Sequence, residues 1–298
     1  MSAIDPPLAA TAEARPRAYR PSLLPRDWRS QTGMAVVLVV GALFMVVPFL
    51  WMFATSLSRK ANVSMPRVPT LIPPDPSFFN YWIANADMPI LRLYLNSLFV
   101  VGTTTVGYLL LCSIAGYAFA KGRFPGKTAL FIVFLATLFI PFETRMIPLY
   151  LFMRDLHLNN TYWALILPFL AGGFGVFLMR QTIATIPDDL IDAARMDGAS
   201  ELRIFLTIIL PLCKPTLATL AIINVIWRWN DLLWPLLVTS SRDLYTVTQG
   251  LALAGRASGI YTGVALASAV MAIAPVIVAY LFLQRYVIRS VVSSGVKG

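Results

Sequence analysis

Charge is scarce in this chain. Only 13% of its 298 residues are Asp, Glu, Lys or Arg, against 58% that are hydrophobic, and the mean hydropathy is +0.71. A water-soluble domain carries about 25% charged residues, so this composition excludes a soluble globule and implies a membrane protein. Histidine is nearly absent, with His157 standing alone, which argues against a metal centre and a His-based catalytic triad. The two cysteines, Cys112 and Cys213, lie far apart in or beside apolar runs; neither a disulfide nor a metal site is inferred. No GxxxxGK[S/T] segment occurs, so the chain does not itself hydrolyse ATP by P-loop chemistry. Acidic residues are missing from the centres of the apolar runs, where an ion-driven carrier would place them. The net charge of +10 raises nucleic acid as a partner. The basic residues, however, are scattered at the ends of apolar runs and form no aromatic-interleaved patch, so no nucleic-acid surface is expected.

What is present is a succession of apolar runs. They predict an all-α membrane protein with six transmembrane helices at about 31–58, 93–120, 128–146, 161–180, 211–231 and 260–284, each close to or above the roughly 20 residues that cross a bilayer. Residues 1–29, rich in Pro, Ala and Arg, read as a mostly disordered cytoplasmic tail, 30–287 as the membrane domain and 288–298 as a second cytoplasmic tail. The first run exceeds a signal-peptide core and reads as a span, not a cleaved leader. Prolines in the 59–92 connection forbid a long helix there. Pro141 is expected to bend the third span, Pro275 lies at the middle of the sixth, and 232–258 reads as an outer connection. With both termini, the basic turn around Pro125-Gly126 and the loop after the fourth span placed inside, fifteen of the 24 Lys and Arg are cytoplasmic and nine are not. That bias supports both termini in the cytoplasm and a multi-pass protein of the cell membrane, in contact with lipid.

The loop at 187–210 is the long segment between apolar runs that is both charged and helical in pattern. Pro187 suits a helix start, Asp188 and Asp189 favour the positive end of its dipole, and Gly198 supplies a stop. Ala193 and Ala194 leave one side nearly without bulk, so a partner could approach the backbone, with Asp192, Arg195 and Asp197 around that patch. Ser200 is an expected N-cap for a second amphipathic helix, which Pro211 and Pro215 are expected to break.

Asp192-Ala193-Ala194, Gly198, Ile208, Leu210 and Pro211 at this spacing resemble the EAA signature of binding-protein-dependent ABC importer permeases. The resemblance implies the type I importer transmembrane fold, with the loop docking as a coupling helix on a cytoplasmic ATPase. Asp192, Ala193, Ala194, Arg195, Met196, Asp197 and Gly198 are then the coupling residues. Asp192 stands where the family usually has Glu, one methylene longer. Further matches extend the likeness, toward maltose-type carbohydrate permeases, across nearly the whole chain after residue 29. They are Phe79-Asn80-Tyr81, Ile147-Pro148-Leu149-Tyr150, Leu158-x-Asn160-Thr161, Trp229-Asn230-Asp231 and Gln284-Arg285. The terminal Gly295, Val296, Lys297 and Gly298 match a tail that reaches the ATPase in that branch, although Ser290 replaces a usual Gly.

The resemblance implies a non-catalytic pore subunit of an ATP-driven importer of carbohydrate. Its partners would be a second, homologous permease subunit, two ATPase subunits that carry the ATP and Mg, and an extracytoplasmic binding protein; this chain would bind no cofactor. Glycerol-3-phosphate or a polyol is an alternative cargo, and the lack of central basic groups leans toward a neutral sugar. A secondary carrier and a scaffold without transport are readings of other classes. Asn96, Asn224 and Asn230 are the polar candidates for the substrate pathway, with helix-to-helix hydrogen bonding an equal explanation. Glu143 and Arg145 could line the pathway as a pair or form an interfacial ion pair, and the Gly172, Gly173 and Gly175 cluster could mark the pathway or tight helix packing.

Overall fold

The computed structural model describes residues 28–63, 71–73, 75–87, 89–257 and 261–295, and the side chains among them except at 28–31, 87, 254–257 and 279–295. The tail at 1–27 and the terminal Val296, Lys297 and Gly298 lie outside the described residues. Among the described residues the elements are helices, with no β-strand.

The first helix, α1 (Trp28–Ser56), carries no charge after Arg29, and its side chains from Thr32 to Leu50 are exposed, an apolar surface suited to lipid. A short helix, α2 (Phe79–Asp87), follows in the proline-rich connection. Its fully buried Asn80 donates to the carbonyls of Ser56 (2.8 Å) and Ser58 (2.9 Å) and accepts from Asn62 (2.6 Å). Asn80 therefore pins the connection back on the end of α1, while Phe78 and Trp82 beside it stay exposed.

The central element is α3 (Ile90–Lys121), 32 residues or about 48 Å at 1.5 Å per residue. The following helices are α4 (Lys127–Ala136), α5 (Phe142–Asp155), α6 (Tyr162–Ile166) and α7 (Gly173–Ala184). After them come α8 (Asp188–Met196), α9 (Glu201–Ile204), α10 (Leu210–Leu212), α11 (Lys214–Trp229), α12 (Leu233–Val238), α13 (Val247–Ala257) and α14 (Thr262–Gly295).

α3 packs most extensively against α7, and glycine lets them approach. A Cβ on Gly175 would lie 2.6 Å from both Cys112 Sγ and Tyr108 Oη, and one on Gly116 would lie 2.6 Å from Met179 Cβ. Small residues at a helix contact serve this purpose inside a membrane, where no water is released to drive association. The main core lies here, with Cys112, Met179, Ile183 and Ile209 fully enclosed.

α1 and α3 are each long and apolar enough to cross a membrane, and three bent pairs would bring the number to five if each is one span. Thr262–Val278 of α14 is a further apolar stretch. The bends correct several expectations. The third predicted span, 128–146, stops at Phe139 and turns by 105° into α5. Ile140 takes extended geometry (φ −95°, ψ 111°) before Pro141, the conformation that a proline ring favours in its predecessor. The fourth, 161–180, is interrupted at residues 170–172 with a 42° bend and continues to Ala184. Pro211 does not break its helix: the turn over Phe205–Ile209 is a π turn that shifts the hydrogen-bond register just ahead of the proline. The 77° break falls at Cys213. The 232–258 connection is folded, containing α12 and α13.

Candidate functional site

Two regions carry chemistry that packing alone does not explain. The first is the loop around α8. Pro187 occupies the cap position (φ −58°, ψ 136°), and Asp188 and Asp189 fill the first turn, where carboxylates meet the positive helix end. Gly198 closes α8 at φ +79°, with its N–H donating to Arg195 O (3.0 Å) and that of Ala199 to Ala194 O (3.0 Å). This paired pattern uses the last free carbonyls and favours glycine at the left-handed position. Ser200 caps α9 as expected, its Oγ accepting from Arg203 N at 3.3 Å.

Side chains then fasten the loop to the end of α3. Ile191 is buried in the main core. Lys121 Nζ donates to Asp188 (2.6 Å) and to Ile186 O (2.6 Å), and Tyr117 Oη donates to Glu201 at 2.7 Å. Arg195 bridges Asp192 (2.9 Å) and Glu201 (2.8 Å). Hydrogen bonds from Arg195 and then Tyr117 hold the Glu201 carboxyl below its ordinary value, the hydrogen bond from Lys121 does the same for Asp188, and the Arg195 guanidinium is held charged chiefly by Glu201. Of the predicted coupling residues, Arg195 and Asp192 are thus engaged within the chain, and Ala194 turns half inward onto the core. Ala193, Met196, Asp197 and Gly198 remain exposed, together with Asp189 and Leu190, which the sequence reading had not assigned to the docking surface.

A carboxylate whose pKa falls on folding stabilises fully above its unfolded value and loses that contribution as pH falls through the folded one. A distance measured between spin labels on α3 and α9 should therefore stay constant from neutrality down to pH 4.5, the ordinary Glu value, and lengthen only below it. Glu201→Gln should remove the Glu201 share of that transition. A transition above pH 4.5 would contradict the brace.

The second region is a cavity of about 750 Å³ bounded by the α4–α5 bend, the start of α7 and the end of α11. Its lining combines Tyr108, Phe142, Phe169, Phe174 and Trp227 with Glu143, Arg145, Asn224, Arg228, Asn230 and Asp231. Arg228 donates to Asp231 at 2.8 Å, and each side chain is only about one-sixth exposed (17% and 16%). The guanidinium lies 3.7 Å from the centre of the Phe169 ring. Phe169 packs against Phe142 and against the fully buried Trp234, whose Nε1 donates to Ala164 O at 2.9 Å. One cation–aromatic knot thus ties α5, α6, α11 and α12 together.

Asn224 and Asn230 both line the cavity. The Asn224 carbonyl accepts from Thr105 (3.0 Å), and the Asn230 amide donates to Ile226 O (2.8 Å). Asn96 does not line it: its amide is consumed by Asp243 O and Tyr245 O, and its carbonyl by Tyr162 Oη. Glu143 and Arg145, two residues apart on α5 and so on different faces, form no ion pair with each other; Arg145 lies 5.7 Å over the Phe142 ring instead. Within the glycine cluster, Gly172 and Gly173 line the cavity, while Gly175 makes the close helix contact. Arg228 was missed. Its signal was an Arg and an Asp three apart at the end of an apolar run.

The family model described as binding-protein-dependent transport system inner membrane component matches residues 26–293. The arabinooligosaccharides transport system permease protein AraQ of Halalkalibacterium halodurans is 42% identical over 203 residues, covering 68% of this chain and 73% of its own. The sn-glycerol-3-phosphate transport system permease protein UgpE of Yersinia pestis is 34% identical over 268 residues, covering 87% of this chain and 95% of its own. Among solved structures, a bacterial ABC transporter involved in the import of the acidic polysaccharide alginate superposes with a TM-score of 0.73 at 29% identity, covering 90% of this chain and 99% of that one.

Proposed function

Because the chain belongs to the family of binding-protein-dependent transport system inner membrane components, we propose that it forms half of the translocation pore of an ATP-driven carbohydrate importer. It is a permease subunit without catalytic residues of its own. A homologous permease completes the pore, two ATPase subunits holding ATP and Mg bind at the α8 surface, and an extracytoplasmic protein delivers the cargo. Six crossings with both termini inside fit the five candidate spans together with the apolar stretch of α14.

The observation that carries this reading is the brace on α8. A helix whose polar residues clamp it to α3, while Asp189, Leu190, Ala193 and Met196 face outward, is built to move with the bundle when something bound to it moves. Closure of the ATPases then tilts the spans and exchanges inward-facing for outward-facing states. Carbohydrate cargo is supported by the relatives that carry arabinooligosaccharides and alginate, and glycerol-3-phosphate by the UgpE relative.

The test is uptake by vesicles containing this chain, its sister permease, the ATPase and the binding protein. Uptake should require ATP and the binding protein and should survive a protonophore. Uptake abolished by the protonophore with ATP present would indicate a secondary carrier, and ATPase activity indifferent to loaded binding protein would indicate a scaffold.

A further inference from the structure

We propose that the cavity between α5, α7 and α11 is a charge-balanced saccharide site that accepts a neutral sugar unit and rejects an anionic one; this rests on the importer reading above. The cargoes of the relatives include both kinds, arabinooligosaccharides on one side and glycerol-3-phosphate and alginate on the other. Similarity therefore does not choose between them, whereas the lining does.

Its volume of about 750 Å³ falls in the range of about 300–1,000 Å³ usual for small-molecule sites. Two features match a sugar. Phe142, Phe174 and Trp227 offer aromatic surface for the C–H face of a pyranose or furanose ring, with Trp227 and Phe174 6.4 Å apart. Glu143, Arg145 and Asn230 offer acceptors and donors for its hydroxyls, since a carboxylate, a guanidinium and an amide each hold two at fixed spacing.

The charge count sets the class. The lining holds two guanidinium groups, Arg145 and Arg228, and two carboxylates, Glu143 and Asp231. Arg228 is already neutralised by Asp231 at 2.8 Å and held against Phe169, so it has no charge to spare. That leaves Arg145, and Glu143 enters the same cavity two residues away. A phosphate or uronate entering the cavity therefore finds no net positive charge, because the Glu143 carboxylate on the same lining offsets Arg145, and uncompensated like charge selects against it. Arg228 is a buried basic group in the last turn of α11, at the edge of its span and not at the centre, and it is matched by Asp231.

The experiment titrates the purified permease pair in detergent with arabinotriose, sn-glycerol-3-phosphate and an alginate trisaccharide, following tryptophan fluorescence. Trp227 lines the cavity, so Trp227→Phe identifies the signal that comes from it. Arabinotriose should change the fluorescence and the two anions should not, and the change should vanish in Trp227→Phe. In Glu143→Gln, which leaves Arg145 unmatched, the preference should move toward the anions by about tenfold or more. Anions binding as well as arabinotriose, no Trp227 response to any of the three, or a preference unchanged in Glu143→Gln would each overturn the proposal. Failure of the importer reading would show separately, as absence of ATP-driven uptake in vesicles whatever binds the cavity.

Discussion

Replacing Gly198 with valine is expected to leave membrane insertion intact and to cut ATP-driven uptake by about tenfold or more. Gly198 sits at φ +79°, and a Cβ built on it would meet nothing within 4 Å. Within the chain the constraint is therefore the handedness of the backbone and not a lack of room. A β-branched residue held there costs about 1–2 kcal/mol, which the chain can relieve by rotating φ to a negative value. Rotation breaks the Gly198-to-Arg195 and Ala199-to-Ala194 hydrogen bonds that close α8. It also swings Ser200 and Glu201 away from Arg195 and Tyr117, undoing the brace. A helix loose on its bundle transmits displacement poorly, and ATP would be hydrolysed without matching transport. Asparagine tolerates the left-handed region, so Gly198→Asn should keep most of the uptake. Equal loss in the Val and Asn variants, measured as sugar imported per ATP hydrolysed, would instead show that any side chain at 198 clashes with the docked ATPase.

The α8 loop was legible because its signals are local. A proline, two carboxylates, a glycine and a serine at short spacing set where two helices begin and end, and the caps at Gly198 and Ser200 formed where composition placed them. The apolar runs were legible for the same reason, as lengths without charge. Interruptions inside them were harder to read. Pro141 bends the chain through 105°, yet Pro48, Pro148 and Pro275 lie within continuous helices. Pro211 is carried by a π turn that no composition rule announces.

The use of each polar side chain depended on long-range contacts. Asn96 and Asn224 are alike in sequence, both amides within apolar runs. One is spent on the backbone of 243–245 and the other lies at the cavity wall, because partners 147 and 119 residues away decide it. Arg195 pairs with Glu201, six residues on across a tight turn, a contact that its place in the helix does not announce. Asn80 has its role from the carbonyls of Ser56 and Ser58, more than 20 residues away, which no local pattern announces.

Asp231→Ala is the substitution expected to destabilise the chain most. It removes the carboxylate from Arg228, whose side chain is 17% exposed and packed on Phe169. An uncompensated buried charge left by breaking one half of a pair costs about 3–5 kcal/mol, a large fraction of the stability of an ordinary domain. The N–H of Trp234, which the same carboxylate accepts at 3.4 Å, would lose its partner too. The consequence should spread through the knot: Trp234 holds α12 against α6 through Ala164 O and, with Phe169 after α6, against Phe142 of α5. The detergent-solubilised variant should lose its monodisperse peak at a lower temperature than the wild type. Removing both charges by Arg228→Met with Asp231→Leu should recover most of the loss, because a well-packed apolar pair needs no desolvation of ions. If the double variant were no more stable than Asp231→Ala, the pair would be holding the α11–α12 corner by directed hydrogen bonds and not by charge compensation. The same comparison bears on transport, since the double variant keeps the cavity neutral while removing the bond that fixes its wall.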